Sequence, residues 1–162
     1  MLKSVLQPVL ITVVVGVIGV FAVWAQQPWL AASIGASAFL QLFLPDHPSG
    51  QAWTAGVGQL CGLAGGFVGV YAAGATMAPV FIEHHELVYS RVLAIVVAVL
   101  VTSVLQVSLS AKSAAGGALA LLFAMGEESP TLASAGVALV GIVLVTAMGE
   151  AARRAVVRAG RT

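Results

Sequence analysis

Two short stretches hold the residues best suited to chemistry. One reads Ala32-Ser33-Ile34-Gly35-Ala36-Ser37-Ala38, the other Lys112-Ser113-Ala114-Ala115-Gly116-Gly117-Ala118. Each opens with small residues and hydroxyls and then becomes large and apolar. The first four N–H groups of a helix lack partners within it and carry the positive end of its dipole. Two such starts held at depth in an apolar medium would form an anion site. Ser33, Gly35, Ala36 and Ser37 would present one start, and Lys112, Ser113, Gly116 and Gly117 the other. The three serines add hydroxyl donors and Lys112 adds a full charge. The same small residues also serve a plainer purpose, letting helices pack closely. Lys112 has two readings as well. At a bilayer centre it would cost roughly 2.5–3.5 kcal/mol, whereas in a loop it would snorkel to the interface.

A second set of polar residues follows helical spacing. Thr102, Gln106 and Ser110 lie at i, i+4 and i+8, with Ser103 beside them, and form a polar stripe on an otherwise apolar helix. Such a stripe faces protein or water rather than lipid. It would line a pathway or hydrogen-bond a neighbouring helix, and Gln59 offers the same choice. Glu83-His84-His85-Glu86 invites a metal reading, but adjacent histidines on a helix point about 100° apart, so a solvated loop accounts for it better. His47 sits in a turn, and Cys61 is the sole cysteine, read as a packing residue. No nucleophile–base set, phosphate loop or paired catalytic carboxylates appear, so neither an enzyme nor a cofactor is expected.

The elements that must position these residues are apolar helices. Of 162 residues, 60% are hydrophobic and 8% charged, with a mean hydropathy of +1.05. A soluble domain of this size would lack the polar surface to cover itself, whereas lipid accepts apolar side chains on the outside. A formal net charge of +1 gives no general field to recruit nucleic acid. Four segments are long enough to span a bilayer, at about 8–25, 53–77, 90–109 and 131–150, and two are shorter, at about 30–44 and 113–125. The first exceeds a signal-peptide core and is read as a retained helix, with Trp24 and Trp29 suited to the interfacial belt. Polar breaks at Gln26-Gln27-Pro28, 45–50, 79–86, 110–113 and 126–130 separate the segments. The expected fold is an all-α integral membrane protein.

A shift of 80 residues places Ser33 on Ser113, Leu42 on Leu122, Phe43 on Phe123, and Thr54-Ala55-Gly56-Val57 on Ser134-Ala135-Gly136-Val137. Two tandem long–short–long repeats follow, 8–77 and 90–150, with a basic tail at 151–162. Lys3 precedes the first segment, and Arg153, Arg154, Arg158 and Arg161 follow the last, which predicts cytoplasmic termini in a bacterial-type plasma membrane and an even number of crossings. If the short segments cross, the second repeat is inverted. If they are re-entrant, both repeats point the same way. Charge alone does not separate these arrangements.

The stretch Ser33 to Gln59 resembles the HPP family of small integral membrane proteins. The similarity rests on Ile34-Gly35-Ala36-Ser37-Ala38-Phe39-Leu40, Leu42-Phe43, Pro45-Asp46-His47-Pro48-Ser49-Gly50-Gln51 and Gly58-Gln59. The second short segment falls where that family carries a His-Pro-Pro-Ala-Gly-Ala signature. Here Lys112 replaces the histidine, both prolines are replaced, and only the Ala-Gly part survives. The resemblance implies a link, known in plastids and cyanobacteria, to nitrite transport. The leading expectation is therefore a transporter or channel for a small monovalent anion, embedded in membrane lipid and homo-oligomeric, in which Lys112→Glu abolishes flux. The other is a non-conducting structural or regulatory subunit that uses the glycines of the third segment, Gly62, Gly65, Gly66 and Gly69, as docking faces.

Overall fold

The computed structural model describes residues 2–26, 32–80 and 88–159, and no strand occurs among them. Among the described residues six α-helices follow in order: α1 (Leu2–Ala25), α2 (Ala32–Phe43), α3 (Ala52–Ala72), α4 (Tyr89–Ser108), α5 (Ala114–Met125) and α6 (Leu132–Ala159). Short 3-10 turns occupy Pro48–Gly50 and Ala75–Met77. The residues Pro28, Trp29, Glu83-His84-His85-Glu86 and Arg161 lie outside the described residues. The long helices have 24, 21, 20 and 28 residues, or about 30–42 Å at 1.5 Å per residue, enough for a hydrocarbon core of about 30 Å. The two short helices have 12 residues each and reach only about 18 Å. α6 continues through the stretch read as a tail, so Arg153, Arg154 and Arg158 ride on its last turns.

Contacts between distant residues fix the direction of each helix. Gln7 of α1 donates to the Leu42 carbonyl at the end of α2 (2.9 Å), so α2 returns to the level where α1 began. Arg153 of α6 donates to the Pro45 carbonyl just beyond α2 (2.7 Å) and pairs with Glu150 (2.6 Å), which marks this as the basic end of the bundle. α3 leaves from the same end, because Trp53 donates to the Leu109 carbonyl (3.1 Å) after α4, while Tyr71 donates to the Pro130 carbonyl (2.7 Å) before α6. Arg91 of α4 reaches the Ala124 carbonyl at the far end of α5 (3.4 Å). The six helices therefore alternate in direction, and α4–α6 run opposite to α1–α3. Both the start of α1 and the end of α6 lie at the basic end. The turn after α2 shares that end, and the turn after α5 lies at the other. This is the alternating arrangement of the two that the sequence leaves open.

Two lobes build the interior. In one, Ile11, Val14 and Ile18 of α1 share a core with Ile34, Ala38 and Leu42 of α2 and Val145 of α6. In the other, α3 packs against α4 and α5 through glycine. Gly58, Gly62 and Gly66 face α5, and Gly65 and Gly69 face α4. A Cβ at Gly69 would sit 2.5 Å from the Ala94 carbonyl oxygen and 2.7 Å from the Ala98 Cβ. With little hydrophobic drive between helices in lipid, such close approach is what holds them together. These glycines are buried inside the chain, which removes the docking faces that suggested a non-conducting subunit. The outer faces of α1, α4 and α6 are apolar instead: Val13, Val20, Val96, Val104 and Val143 are each more than half exposed. The chain is a multi-pass membrane protein, because only lipid accommodates that surface.

Candidate functional site

Adjacent residues of α3 hold the start of α5 and the second turn of α2. On one side, Gln106 of α4 clamps the start of α5. Its Nε2 donates to the Ser113 carbonyl (2.9 Å) and the Gly58 carbonyl (3.1 Å), and its Oε1 accepts from the Ser113 N–H (3.0 Å). Ser113 is the N-cap, and its Oγ accepts from the Gly116 N–H (3.2 Å). The Gly117 N–H bonds the Ser113 carbonyl (3.2 Å). On the other side, Gln59 Nε2 donates to Ser37 Oγ in the second turn of α2. Gly58 and Gln59 lie six and seven residues into α3, about 9–10 Å from its start. Ser33, one turn before Ser37, lies about 6 Å deeper, near the middle of α3. Both short helices thus begin within the thickness of the bundle.

The predicted site residues separate into buried and outward groups. Ser33 and Ser37 are each 1% exposed, Ser113 is 5% and Gln59 is 0%, while Thr102 and Gln106 are also buried. Gly116 is buried, whereas Gly35, Ala36 and Gly117 are only half-buried. Thr102 Oγ1 donates to the Cys61 carbonyl at 3.5 Å. Ser110 falls outside the stripe proposed for it. α4 ends at Ser108, and Ser110 turns outward at φ +52°. Ser103 and Lys112 are exposed too. Lys112 immediately precedes the N-cap, where the chain is not yet helical, so its side chain departs from the face that buries Ser113. His47 lies in an exposed turn and accepts the Ser49 N–H on Nδ1 (3.2 Å).

Among the described residues, buried Gln41, Thr54 and Arg91, and half-buried Thr146 with its buried hydroxyl, escaped the sequence reading. Gln41 is 0% exposed and donates to the Val145 carbonyl (3.4 Å). It completes a stripe Ser33–Ser37–Gln41 at i, i+4 and i+8, the spacing that identified Thr102 and Gln106 on α4, so the signal was present. Thr146 lies beside Gly56. Arg91 is 3% exposed at the opposite end, a cation buried in the protein at the head of an apolar run.

Among the described residues, four buried side-chain atoms have no protein partner: Ser33 Oγ, Gln41 Oε1, Gln59 Oε1 and Thr146 Oγ1. An unmet buried polar atom costs about 1–3 kcal/mol. All four lie on α2 or on the helices packed against it, and the α5 side is fully paired around Gln106. The cluster therefore combines a closed amide-rich start with a neighbour whose hydroxyl and carboxamide capacity is unspent. Its members are neutral donors and acceptors, suited to holding a solute rather than to moving a proton.

The sequence model of the family described as HPP, transmembrane region, matches residues 1–159. Comparison with curated proteins gave no match, and comparison with solved structures gave none. A match along nearly the whole chain, over a helix order of long–short–long twice, assigns the protein: it belongs to the HPP transmembrane family.

Proposed function

We propose that the protein carries a small monovalent anion across the membrane, with nitrite as the first candidate, and binds it where the two short helices begin. The observation that carries this reading is that the start of α5 and the second turn of α2 are bonded at adjacent residues of α3, Gly58 and Gln59, within the bundle. Further support comes from the packing of α4–α6 in the reverse sense to α1–α3. α3 packs on α4 and α5, and α6 packs on α1 and α2, so the third helix of each triplet closes against the other triplet. Two inverted repeats with a site near their junction are a recurring transporter design. The basic end, which carries Arg153, Arg154 and Arg158, is assigned to the cytoplasm. Assembly as a homo-oligomer belongs to the same proposal.

The two starts play different parts. The N–H groups of Ser113, Gly116 and Gly117 are already bonded, so α5 serves as a fixed positive dipole end. Ser33 keeps an unpaired hydroxyl at the start of α2 and meets the anion directly. Lys112 contributes charge from outside the bundle. Nitrite uptake into proteoliposomes tests this division. Ser33→Ala combined with Ser37→Ala should lower uptake roughly tenfold or more, since about 1.4 kcal/mol of lost binding is one decade. Lys112→Glu should lower it less, not abolish it, because its field crosses the bundle edge instead of touching the solute. Unchanged uptake in the serine double variant, with the protein still monodisperse, would sink the site.

A further inference from the structure

The stripe on α2 leads away from the short-helix starts toward the basic end. Ser33, Ser37 and Gln41 fall one turn apart on one face of α2, and all three are at least 99% buried. Ala38 and Leu42, on the neighbouring face, are also fully buried, but among the apolar side chains of α1 and α6. Two adjoining faces of one helix are thus buried in contrasting surroundings. Beyond Gln41 by one turn is Pro45, whose carbonyl is held by Arg153. Beneath Gln41 is Gly149, where a Cβ would lie 2.6 Å from the Gln41 Oε1 and 2.7 Å from its Cδ and Nε2. Glycine there leaves the space that the carboxamide head occupies.

Along this line the unspent hydrogen-bonding atoms are Ser33 Oγ, Gln59 Oε1 and Gln41 Oε1. A purely structural stripe would be paired atom for atom, as the Gln106 clamp is. A carboxamide accepts from water through its oxygen and donates to an anion through its NH2 group, so it suits a lining that passes a hydrated anion. The stripe ends beside Arg153, which shares the Glu150 carboxylate with Arg154, so two guanidiniums against one carboxylate leave a positive balance in that cluster at this mouth.

We propose that the leg of the route between the short-helix starts and the basic end runs along Ser33, Ser37 and Gln41, and that Gln41, seated on Gly149, is its constriction. Gln41 passes water and a small monovalent anion when its carboxamide swings from the Val145 carbonyl. In this structure the head is bonded there and fully buried, so the leg is shut. The anion class rests on the reading of the short-helix starts given above, but the leg itself does not.

Two measurements separate these. Single cysteines are placed at positions 37, 38, 41 and 42 in a Cys61→Ala background. The reconstituted protein is exposed to a membrane-impermeant anionic methanethiosulfonate from the basic side. Gln41→Cys should react, Ser37→Cys, which lies beyond the constriction, should react only when combined with Gln41→Ala, and Ala38→Cys and Leu42→Cys should stay protected with or without Gln41→Ala. Equal protection or equal reaction at all four positions would overturn the leg, whatever the protein transports. Alongside, Gln41→Leu should reduce nitrite uptake at least tenfold, and Gln41→Asn should restore part of it. Full uptake through Gln41→Leu would overturn the constriction. Wild-type protein that takes up no nitrite, yet shows the selective labelling, would leave the leg in place and refute only the choice of anion.

Discussion

Gly116→Val should destabilise the fold by about 3–5 kcal/mol, while Gly117→Val, one residue along, should change little. The helix starts explain the contrast. A Cβ at Gly116 would overlap the Gly58 carbonyl oxygen, and it would sit 2.5 Å from the Gly58 carbon and 2.6 Å from Gln106 Nε2. Gly62 meets Gly116 in the same way, through the Gly116 carbonyl. The closest of these contacts are with backbone atoms, so movement of the Gln106 side chain alone cannot relieve them. Relief requires α5 to move off α3, and that breaks the three bonds made by Gln106. Overpacking costs about 1–3 kcal/mol, and interhelical hydrogen bonds in membranes average about 0.6 kcal/mol each. The sum, about 3–5 kcal/mol, takes a large share of a stability of about 5–15 kcal/mol. Nothing lies within 4 Å of a Cβ at Gly117. Fluorescence-detected size-exclusion profiles of the two variants after heating in detergent would compare them. A Gly116→Val protein as heat-resistant as wild type would refute the packing argument.

Arg91→Met should destabilise the fold by about 3 kcal/mol or more, with Arg91→Lys between it and wild type. The guanidinium donates through Nε to the Pro79 carbonyl (3.1 Å), through Nη2 to Ala78 (2.6 Å) and through Nη1 to Ala124 (3.4 Å). Ala124 is in the last turn of α5, where carbonyls lack helical partners and the dipole is negative. One cation therefore ties the close of α5 to the segment after α3. Methionine keeps the bulk and strands three carbonyls, each costing about 1 kcal/mol or more when unmet. Lysine keeps the charge but not the planar fork that reaches three acceptors at once. Gly126 is fitted to this arrangement. It ends α5 at φ +87°, and a Cβ there would lie 2.5 Å from the Arg91 Cζ. The glycine closes the helix with the Glu127 N–H on the Leu122 carbonyl (3.1 Å). Thermal unfolding in one detergent, followed for all three proteins, measures the order. Equal midpoints for Arg91→Met and wild type would remove the tie.

Much of the architecture was legible in the residues themselves. Hydropathy marks every helix, because apolar runs of this length have no other stable place and lipid forces their backbone bonds inward. The break residues mark the ends: Ser113 caps α5 and Gly126 closes it. The family was legible too, since the Gly-Ala-Ser-Ala stretch and the loop after it lie at the start and end of α2. Periodicity correctly placed Thr102 and Gln106 on one face, and both are buried.

The remaining features depended on which face meets which neighbour. Periodicity states which residues share a side of a helix and is silent about what stands opposite. Lys112 and Ser110, promising by type, turn outward because each falls in the connection between α4 and α5 rather than on a helix. Gln41 and Arg153 became interesting only through partners 104 and 108 residues away, Val145 and Pro45. The same long-range bonds decided that the two triplets run in opposite senses. Charge at the chain ends is satisfied by either arrangement, but a bond from Arg153 to Pro45 requires the turn after α2 to share an end with the last turns of α6. Residue chemistry and hydropathy fixed the solvent, the helices and their ends. Their directions, and the choice of which polar atoms remain unpaired inside, were left to tertiary packing, because both depend on contacts between segments that no local pattern encodes.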